Sequence, residues 1–445
     1  MTPARAIDVV VVGAGHNGLA MSAALSAHGV DHVVLERGAV ADRWLTQRWD
    51  SMRLLTPNWM TRLPGWHYAG ADPDGFMTAA QMADFIAGYA AHLAAPVRAH
   101  TPVHAAWPHG DGYRVQTDDG TWQCRALVIA SGAFGEPVLP RVAAQMPPGL
   151  HGVSAARYRR PEELPHGGVL VVGASATGLQ LAREIHASGR PVTLAVGEHV
   201  RLPRLYRGRD IHWWMHVTGL LEQRIEDEAE PDRARRLPSP QLMGTPQRST
   251  LDLNTLRAQG VEVVGRLVGV RDGKAQFSGS LRNVCALADL KMNRLLDGID
   301  ARARSRGLDP IVGPVERFAP TLPSRAPRLA LDLGGDVRSV VWATGYRPEL
   351  SWLHAPVFDE RGGLRHDRGV VAASRLFVLG LPFMRRRQSS FILGCEDDVR
   401  ALSLRLVAQL RAMKPATVRD PKSVRLVEGR DALANPPERT WVQSA

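Results

Sequence analysis

Two glycine-rich loops constrain this chain more than any other feature of its sequence. One reads Gly13-Ala14-Gly15-His16-Asn17-Gly18, and the other reads Gly173-Ala174-Ser175-Ala176-Thr177-Gly178. Each follows an apolar run of strand type, at residues 9–12 and 169–172, and opens a stretch of helical pattern. This strand–loop–helix context is what the pyrophosphate of a dinucleotide requires. The chain therefore predicts two nucleotide-binding units, and two such units suggest electron transfer between their nucleotides.

The glycines of the first loop have separate physical roles. Gly13 permits the tight turn, Gly15 lets the backbone approach a pyrophosphate, and Gly18 lets the helix lie against the sheet. The helix then presents unpaired N–H groups and its positive dipole end to the phosphates. Glu36, at the end of the next apolar run, can accept hydrogen bonds from both ribose hydroxyls. A purely structural glycine turn is the alternative, and Glu36 makes it less probable.

The second loop predicts a different nucleotide. Its following strand, residues 192–196, leads into Gly197 in place of an acid, and His199, Arg201 and Arg204 come next. A carboxylate repels the 2′-phosphate of NADP, whereas a guanidinium binds it bidentately. The pattern favours NADP over NAD, with Arg201 and Arg204 as phosphate ligands. The alternative is that these arginines are surface charge in an arginine-rich chain.

Composition indicates a large enzyme without a membrane segment. The chain has 445 residues, 44% of them hydrophobic, which is enough for two cores. We expect a cytoplasmic location, since there is no bilayer-length apolar run and the first loop lies too near Met1 for a cleaved signal. The net charge is +11, but its dispersed basic residues are nearly all arginine, as a GC-rich genome produces. We therefore expect no nucleic acid as a partner.

The cysteines and histidines suggest neither a dithiol nor a metal site. The three cysteines, Cys124, Cys285 and Cys395, are far apart and form no C-x-x-C motif. This argues against a flavin disulfide reductase, which passes electrons through an adjacent dithiol. No His/Cys group has zinc-like spacing, so we expect no metal.

The rest of the chain predicts interleaved units. Alternation over residues 107–128 around Asp118-Asp119-Gly120 indicates a hairpin, and residues 283–306 have helical periodicity. Residues 340–348 form a strand ending in glycine, by which we expect the chain to return to the first unit. A strand at residues 376–381 and a helix at about 396–410 complete that unit.

These motifs together resemble the class B flavoprotein monooxygenases, which include flavin-containing monooxygenases, N-hydroxylases and Baeyer–Villiger enzymes. The resemblance rests on both glycine loops, Trp44 and Ala343-Thr344-Gly345-Tyr346, and it covers almost the whole chain. Residues 48–51 and 385–391 are similar to bacterial flavoproteins described as cation-transport-associated or YUCCA-like oxidoreductases. The motifs do not determine the substrate.

The resemblance implies an α/β fold of two Rossmann-like domains, with the NADPH domain inserted into the FAD domain. We expect the FAD domain at residues 1–165 and 328–445, and the NADPH domain at 166–327 with a helical excursion at about 278–310. The implied reaction is hydride transfer from NADPH to FAD, addition of O2 at the flavin C4a carbon, and transfer of one oxygen atom to a small organic substrate. A homodimer is one open oligomeric state.

The resemblance also implies the cofactor ligands and two catalytic residues. The expected cofactor contacts are Gly13, Ala14, Gly15, Asn17, Gly18, Glu36, Arg37, Trp44, Thr56, Val103, Ser131, Gly132, Leu381, Gly173, Ser175, Ala176, Thr177, Gly178, Arg201, Arg204 and Gly345. Asn58 matches an asparagine that stabilises the reactive flavin in the family, although Pro57 shifts the usual Thr-Asn adjacency. A turn residue after proline is the equal alternative for Asn58. Arg53 is expected near the flavin ring.

Several alternatives remain open at the level of the sequence. Tyr158 is present in the linker, but Ser154 replaces the family's histidine, which disfavours Baeyer–Villiger oxidation relative to N- or S-oxygenation or oxidation of a carbonyl acid. The Trp213-Trp214-Met215 run either lines a substrate pocket or packs a helix. Residues 385–387 contact an acidic ligand or form a solvated turn. The rival functions are an NADPH oxidase or reductase and a non-catalytic redox sensor linked to transport.

Overall fold

One mixed sheet and one parallel sheet organise the molecule in a computed structural model that describes residues 4–335 and 337–412. The first has nine strands, with the order His366–Asp367, Val370–Val371, Leu376–Val378, Gly120–Ile129, Arg5–Val12, His32–Leu35 and Val97–Arg98; Val103–His109 and Gly112–Thr117 extend it from Gly120–Ile129. The second has five strands, in the order His151–Ser154, Val337–Trp342, Gly168–Val172, Val192–Val196 and Glu262–Gly265. The predicted pair of Rossmann-like α/β units is therefore confirmed.

Smaller sheets and nine helices complete the described chain. The short strands pair as Leu267–Arg271, Lys274–Phe277 and Ala330–Asp332; Val200–Arg201 and Pro240–Gln241; Leu205–Tyr206 and Arg209–Asp210; Tyr346–Arg347 and Glu136–Pro137; and Arg62–Leu63 and Trp66–His67. The α-helices of the described residues are His16–Ala27, Asp42–Thr46, Ala79–His92, Ala176–Ala187, Ile211–Val217, Pro231–Arg235, Leu253–Ala258, Leu281–Ser305 and Cys395–Ala412. The 3₁₀ helices there are Asn58–Met60, Arg141–Gln145, Pro161–Glu163, Ile225–Asp227, Asp309–Ile311 and Arg387–Ser390.

Each nucleotide loop follows a strand whose last four residues are buried, as expected where both faces of a sheet are covered. In Gly168–Val172, Val169 and Val171 join one apolar cluster, whereas Leu170 and Val172 join another. Helices or loops therefore cover both faces, which explains why such strands appear as continuous apolar runs rather than as alternating patterns. The same holds for Arg5–Val12, whose last four residues are buried.

Several predicted elements lie where the sequence places them. The hairpin closes at Asp118-Asp119, with Thr117 paired to Gly120. The helical excursion is Leu281–Ser305, and the last described helix is Cys395–Ala412. Residues 413–445 of the third predicted segment lie outside the described residues.

One domain boundary is wrong. The strand Val337–Trp342, which we expected in the first unit, lies in the second sheet between His151–Ser154 and Gly168–Val172. The second unit therefore includes strands on both sides of the predicted 166–327 range. The chain returns to the first unit only after Tyr346–Arg347, since His354 N–H donates to the carbonyl oxygen of Ala106 there.

No helix in the described part of the chain is long and apolar enough to cross a membrane.

Candidate active site

A cavity of about 540 Å³ starts at the first glycine loop and extends to residues of the second unit. Of the predicted cofactor ligands, it is lined by Gly13, Gly15, Asn17, Glu36, Arg37, Trp44, Thr56, Val103, Ser131 and Gly132. Ser239, Pro240 and His212 contribute from the second unit. The cavity thus joins both halves of the molecule at one site.

The geometry of the first loop matches the roles predicted for its glycines. Gly13 has a φ of +107°, and a Cβ built on it would lie 2.7 Å from the carbonyl oxygen of Ala130. A Cβ on Gly18 would lie 1.9 Å from the carbonyl oxygen of Gly13. Around Gly15, by contrast, a Cβ would have no atom within 4 Å. Gly13 and Gly18 are therefore needed for packing, whereas Gly15 leaves open space at the cavity wall.

The helix that follows this loop begins without a side-chain cap. Gly15 is the N-cap of His16–Ala27, and no side chain accepts a hydrogen bond from its first N–H groups. These donors and the helix dipole provide an anion site beside the open space at Gly15. His16 lines the same wall, and burial lowers its pKa to about 4, so it adds no positive charge near neutral pH.

Glu36 stands at the end of His32–Leu35 and is positioned by the loops on either side. Its Oε2 accepts a hydrogen bond from Ala14 N–H at 2.7 Å, and its Oε1 accepts one from Gly38 N–H at 3.2 Å. These bonds fix the carboxylate at the cavity wall. Ala14 itself is buried and supports Glu36 through its backbone.

Arg37, Arg43 and Arg48 line the cavity near Glu36. Burial, together with the charges of Arg37 and Arg48, lowers the pKa of Arg43 to about 10. Arg43 is held by carbonyl oxygens of Ser131 and Phe134, and Arg48 stacks on Trp44 at 5.4 Å. The sequence indicated Arg37 and Trp44 but not Arg43 or Arg48, whose positions on either side of Trp44 were the available signal.

The second loop has the same backbone form as the first. Gly173 has a φ of +108°, and a Cβ on Gly178 would lie 1.8 Å from the Gly173 carbonyl oxygen. Ser175 is the N-cap of Ala176–Ala187 without a side-chain hydrogen bond, and Thr177 lies in the first turn. Ala343 supports this loop from below, because its carbonyl oxygen would lie 2.3 Å from a Cβ on Gly173. Gly345, two residues later, has a φ of +90° and accepts a hydrogen bond from Val138 N–H.

Arg201 and Arg204 are not free to bind a phosphate in this structure, which argues against their predicted role. Arg201 is 5% exposed and bridges Asp252 and Asp289, each at 2.7 Å. Arg204 is fully buried, and its Nη1 donates to Asp210 and to the Leu55 carbonyl oxygen, both at 3.0 Å. The carboxylates that neutralise Arg201 come from distant parts of the chain, so sequence proximity to the strand was misleading.

Two other charged residues lie beside the end of Val192–Val196. Glu198, which the sequence analysis overlooked, forms an ion pair with Lys291 at 3.0 Å. Arg266 follows the neighbouring strand Glu262–Gly265, and its Cγ and Cδ would lie 3.8 Å from a Cβ on Gly197. Its side chain is exposed and forms no ion pair with another described residue. Arg266 is therefore the better placed cation at this position.

Asn58 and Arg53 hold the polypeptide rather than line the cavity. The Asn58 side chain is buried; its Nδ2 donates to the Asp72 carbonyl oxygen, and its Oδ1 accepts from Met77 N–H, both at 2.9 Å. Arg53 Nη1 donates to the Phe76 carbonyl oxygen at 2.8 Å. These bonds support the alternative of a turn residue for Asn58 and disfavour the catalytic role. Thr56, between the two, does line the cavity.

The remaining predicted features are mainly structural. Leu381 packs against the first core rather than lining the cavity. Trp214 is fully buried and donates through Nε1 to the Tyr206 carbonyl oxygen, so the tryptophan run packs the helix Ile211–Val217. Arg386 and Arg387 pair with Glu222 and Glu228, in place of an acidic ligand.

His212 is a further cavity residue that the sequence analysis missed. It lies at the start of Ile211–Val217, is 3% exposed, and lines the cavity next to Phe391. Its Nδ1 lies 3.3 Å from Asp210 Oδ1. The Asp210-Ile211-His212 spacing was the available signal.

Comparison with known proteins shows what the chain is similar to. Residues 10–227 match the family model described as pyridine nucleotide-disulphide oxidoreductase. An uncharacterized CzcO-like oxidoreductase of Geobacillus kaustophilus is 29% identical over 89% of this chain and 97% of its own. A probable indole-3-pyruvate monooxygenase, YUCCA1 of Arabidopsis thaliana, is 30% identical over 44% of this chain and 48% of its own. The chain is thus similar in sequence to proteins of the class B flavoprotein monooxygenase type.

The fold of this chain is also found in a solved structure. A flavin-containing monooxygenase from Stenotrophomonas maltophilia superposes with a TM-score of 0.60 at 20% identity, covering 91% of this chain and 99% of that one. Among the described residues, the chain has three buried free cysteines and no cluster of metal-ligating side chains. The disulphide chemistry in the family model's description therefore has no dithiol here to carry it.

Proposed function

We propose that this protein is an FAD-dependent, NADPH-consuming monooxygenase that transfers one oxygen atom from O2 to a small organic substrate. The second oxygen atom leaves as water, and NADPH supplies the two electrons. The observation that carries the proposal is the single cavity that starts at the first glycine loop and reaches residues of the second unit. Such a cavity can bring a nicotinamide and a flavin together.

The first loop fits the ADP half of FAD. Open space at Gly15 and an uncapped helix start suit a pyrophosphate, and the Glu36 carboxylate suits the ribose hydroxyls. Leu55 and Thr56, at the other end of the cavity, would hold the flavin ring. When bound, FAD supplies hydride acceptance and oxygen activation. The apolar residues that line the flavin end of the cavity would exclude water from it.

The second loop fits a nicotinamide nucleotide. Ser175, Ala176 and Thr177 begin an uncapped helix in the same way as the first loop does. We assign the 2′-phosphate of NADPH to Arg266, because Arg201 and Arg204 are already neutralised by carboxylates. The negative charge of Glu198 repels a phosphate, but this charge is neutralised by the ion pair with Lys291.

A stopped-flow experiment tests the proposal. The flavin-loaded protein is reduced anaerobically with NADPH and then mixed with oxygenated buffer. We expect rapid reduction, followed by a long-lived species that absorbs to the blue of oxidised flavin and decays faster when an oxidisable substrate is present. Direct return to oxidised flavin with stoichiometric hydrogen peroxide would indicate an oxidase or reductase instead. Failure of NADPH to reduce the flavin would contradict the role of the second loop.

A further inference from the structure

We propose that His212, oriented by Asp210, is a catalytic base that removes a proton from the substrate, and that the substrate is a proton-bearing nucleophile, an amine or a thiol. This inference rests on the proposed monooxygenase function, which it extends to the substrate class. Its basis is a buried Arg204–Asp210–His212 arrangement whose histidine lines the cavity.

The arrangement holds the imidazole in one orientation. Asp210 Oδ1 accepts a hydrogen bond from His212 backbone N–H at 2.8 Å and lies 3.3 Å from the ring Nδ1. Asp210 Oδ2 accepts a hydrogen bond from the fully buried Arg204 at 3.0 Å. Arg204 also donates to the carbonyl oxygen of Leu55, a residue of the cavity wall. Arg204 therefore links Asp210 directly to the cavity wall.

The charges favour a neutral His212 with a free lone pair. Burial opposes the ionisation of Asp210, but the hydrogen bond from His212 and the charge of Arg204 together keep its pKa below the usual value. An ionised Asp210 accepts the proton on Nδ1, which leaves the lone pair on Nε2. Burial lowers the pKa of His212, and Arg204 contributes in the same direction while Asp210 opposes it. The Phe391 ring packs edge-on against the His212 ring, with the two ring centroids 6.1 Å apart, and it adds no charge.

The cavity leaves His212 Nε2 for a ligand. Within residues 4–335 and 337–412, this nitrogen has no hydrogen-bond partner, although the side chain is almost completely buried. Leu55, Phe391 and Ile392 form apolar walls near it. A ligand with an apolar body and one N–H or S–H donor matches this surface, because only a donor satisfies the unpaired nitrogen.

The proton transfer explains why the site needs a base. An ammonium or thiol group is a poor nucleophile until it loses its proton, since oxygen transfer requires a free electron pair. The N–H or S–H bond breaks, its electron pair stays on the substrate, and the proton moves to His212 Nε2. The Asp210 carboxylate stabilises the resulting imidazolium. The proton passes to water after the product leaves.

The experiment compares two substrates in two variants. In His212→Gln the base is lost, whereas the matched control His216→Gln changes a histidine one turn later on the same helix, beside Trp59. Each protein is assayed with a primary amine and with a thioether, which has no proton to remove. We expect His212→Gln to lower kcat/KM for the amine by about 10²- to 10⁴-fold. Oxygenation of the thioether should fall by less than about threefold, and His216→Gln should match wild type with both substrates.

Two readouts separate a chemical role from a structural one. Imidazole added to His212→Ala should restore part of the amine activity. In the wild type, kcat/KM for the amine should fall on acidification, at a pH far below the pKa of the amine, while the thioether profile stays flat there. Equal losses with both substrates, or identical wild-type pH profiles, would overturn the inference while leaving the monooxygenase function intact. A wild type that oxygenates neither substrate would overturn both.

Discussion

At the scale of single residues, substitutions at Gly15 and Gly18 should have different effects, on FAD affinity and on the stability of the fold respectively. A Cβ on Gly15 meets no atom within 4 Å, and its φ of −76° suits any residue, so Gly15→Ala should fold normally. The added methyl group occupies the space of the pyrophosphate, and we expect FAD affinity to fall roughly 10- to 100-fold through lost hydrogen bonds to a charged group. Titration with FAD measures the affinity, and thermal unfolding of the FAD-free protein measures the fold.

Gly18→Ala is the matched control for that change. Its Cβ would lie 1.9 Å from the Gly13 carbonyl oxygen, so the helix must move away from the sheet. We expect a loss of stability on the order of 3 kcal/mol. If Gly15→Ala lost stability to the same degree, or kept its FAD, the assignment of the first loop would be wrong.

Arg266 and Arg201 provide a second residue-scale test. Arg266→Ala removes an exposed cation beside Gly197, and we expect the KM for NADPH to rise about tenfold, with the KM for NADH little changed. Arg201→Met leaves Asp252 and Asp289 buried without their partner, which should cost about 3–5 kcal/mol of stability. Steady-state kinetics with both nucleotides and urea unfolding distinguish these effects. A rise in KM for both nucleotides in Arg266→Ala would argue against contact with the 2′-phosphate.

The sequence predicted residues whose role is local and missed those whose partners are distant. Gly13, Gly15 and Glu36 belong to one continuous strand–loop–helix–strand pattern, so their placement follows from short-range rules. The roles of Asn58 and Arg201 could not be decided from the sequence, because their partners, such as Met77 and Asp289, are brought close only by the fold. Burial of a charged side chain cannot be deduced from its neighbours in the sequence.

At the scale of secondary-structure elements, the sequence predicts where a strand lies more reliably than it predicts which sheet the strand joins. Val337–Trp342 was recognised as a strand ending near glycine, but both nucleotide units contain such a strand. Residues 128–132 end in the same way, so the local pattern could not decide between the two sheets. Only its pairing with Gly168–Val172 assigns it to the second unit.

The helix Cys395–Ala412 contains a buried aspartate, Asp398, that should make the stability of the protein depend on pH. Burial raises the pKa of Asp398 to about 6, although Ser389 and Arg385 oppose this. An unfolded aspartate has a pKa of about 4, so the folded protein binds the proton more tightly, and this residue's contribution to stability decreases as pH rises from about 4 to about 6. Asp398→Asn should therefore be more stable than wild type by on the order of 2 kcal/mol at pH 8, with the difference vanishing near pH 4.

Urea unfolding of wild type and Asp398→Asn at several pH values measures this difference. Other carboxylates titrate equally in both proteins and cancel. A stability difference that does not change with pH would show that Asp398 is ionised at ordinary cost in the folded protein.

At the scale of the whole molecule, the second unit depends on strands near both ends of one continuous segment of the chain. Its five-stranded sheet places Val337–Trp342 between the N-terminal strand His151–Ser154 and the loop-bearing strand Gly168–Val172. Val340, Val341 and Trp342 contribute to the apolar clusters on both faces, and Ala343 supports the second glycine loop. Folding of the unit and formation of its nucleotide site therefore depend on the same returning segment.

This dependence predicts how fragments behave. A fragment of residues 148–347 contains all five strands and should unfold cooperatively and bind NADPH. A fragment of residues 166–327 lacks His151–Ser154 and Val337–Trp342, which leaves an apolar sheet edge unpaired, so it should aggregate or lack cooperative unfolding. Circular dichroism melts and nucleotide titration test both. Cooperative unfolding of the shorter fragment with intact NADPH affinity would show that the returning strand is dispensable and that the boundaries expected from the sequence suffice for folding.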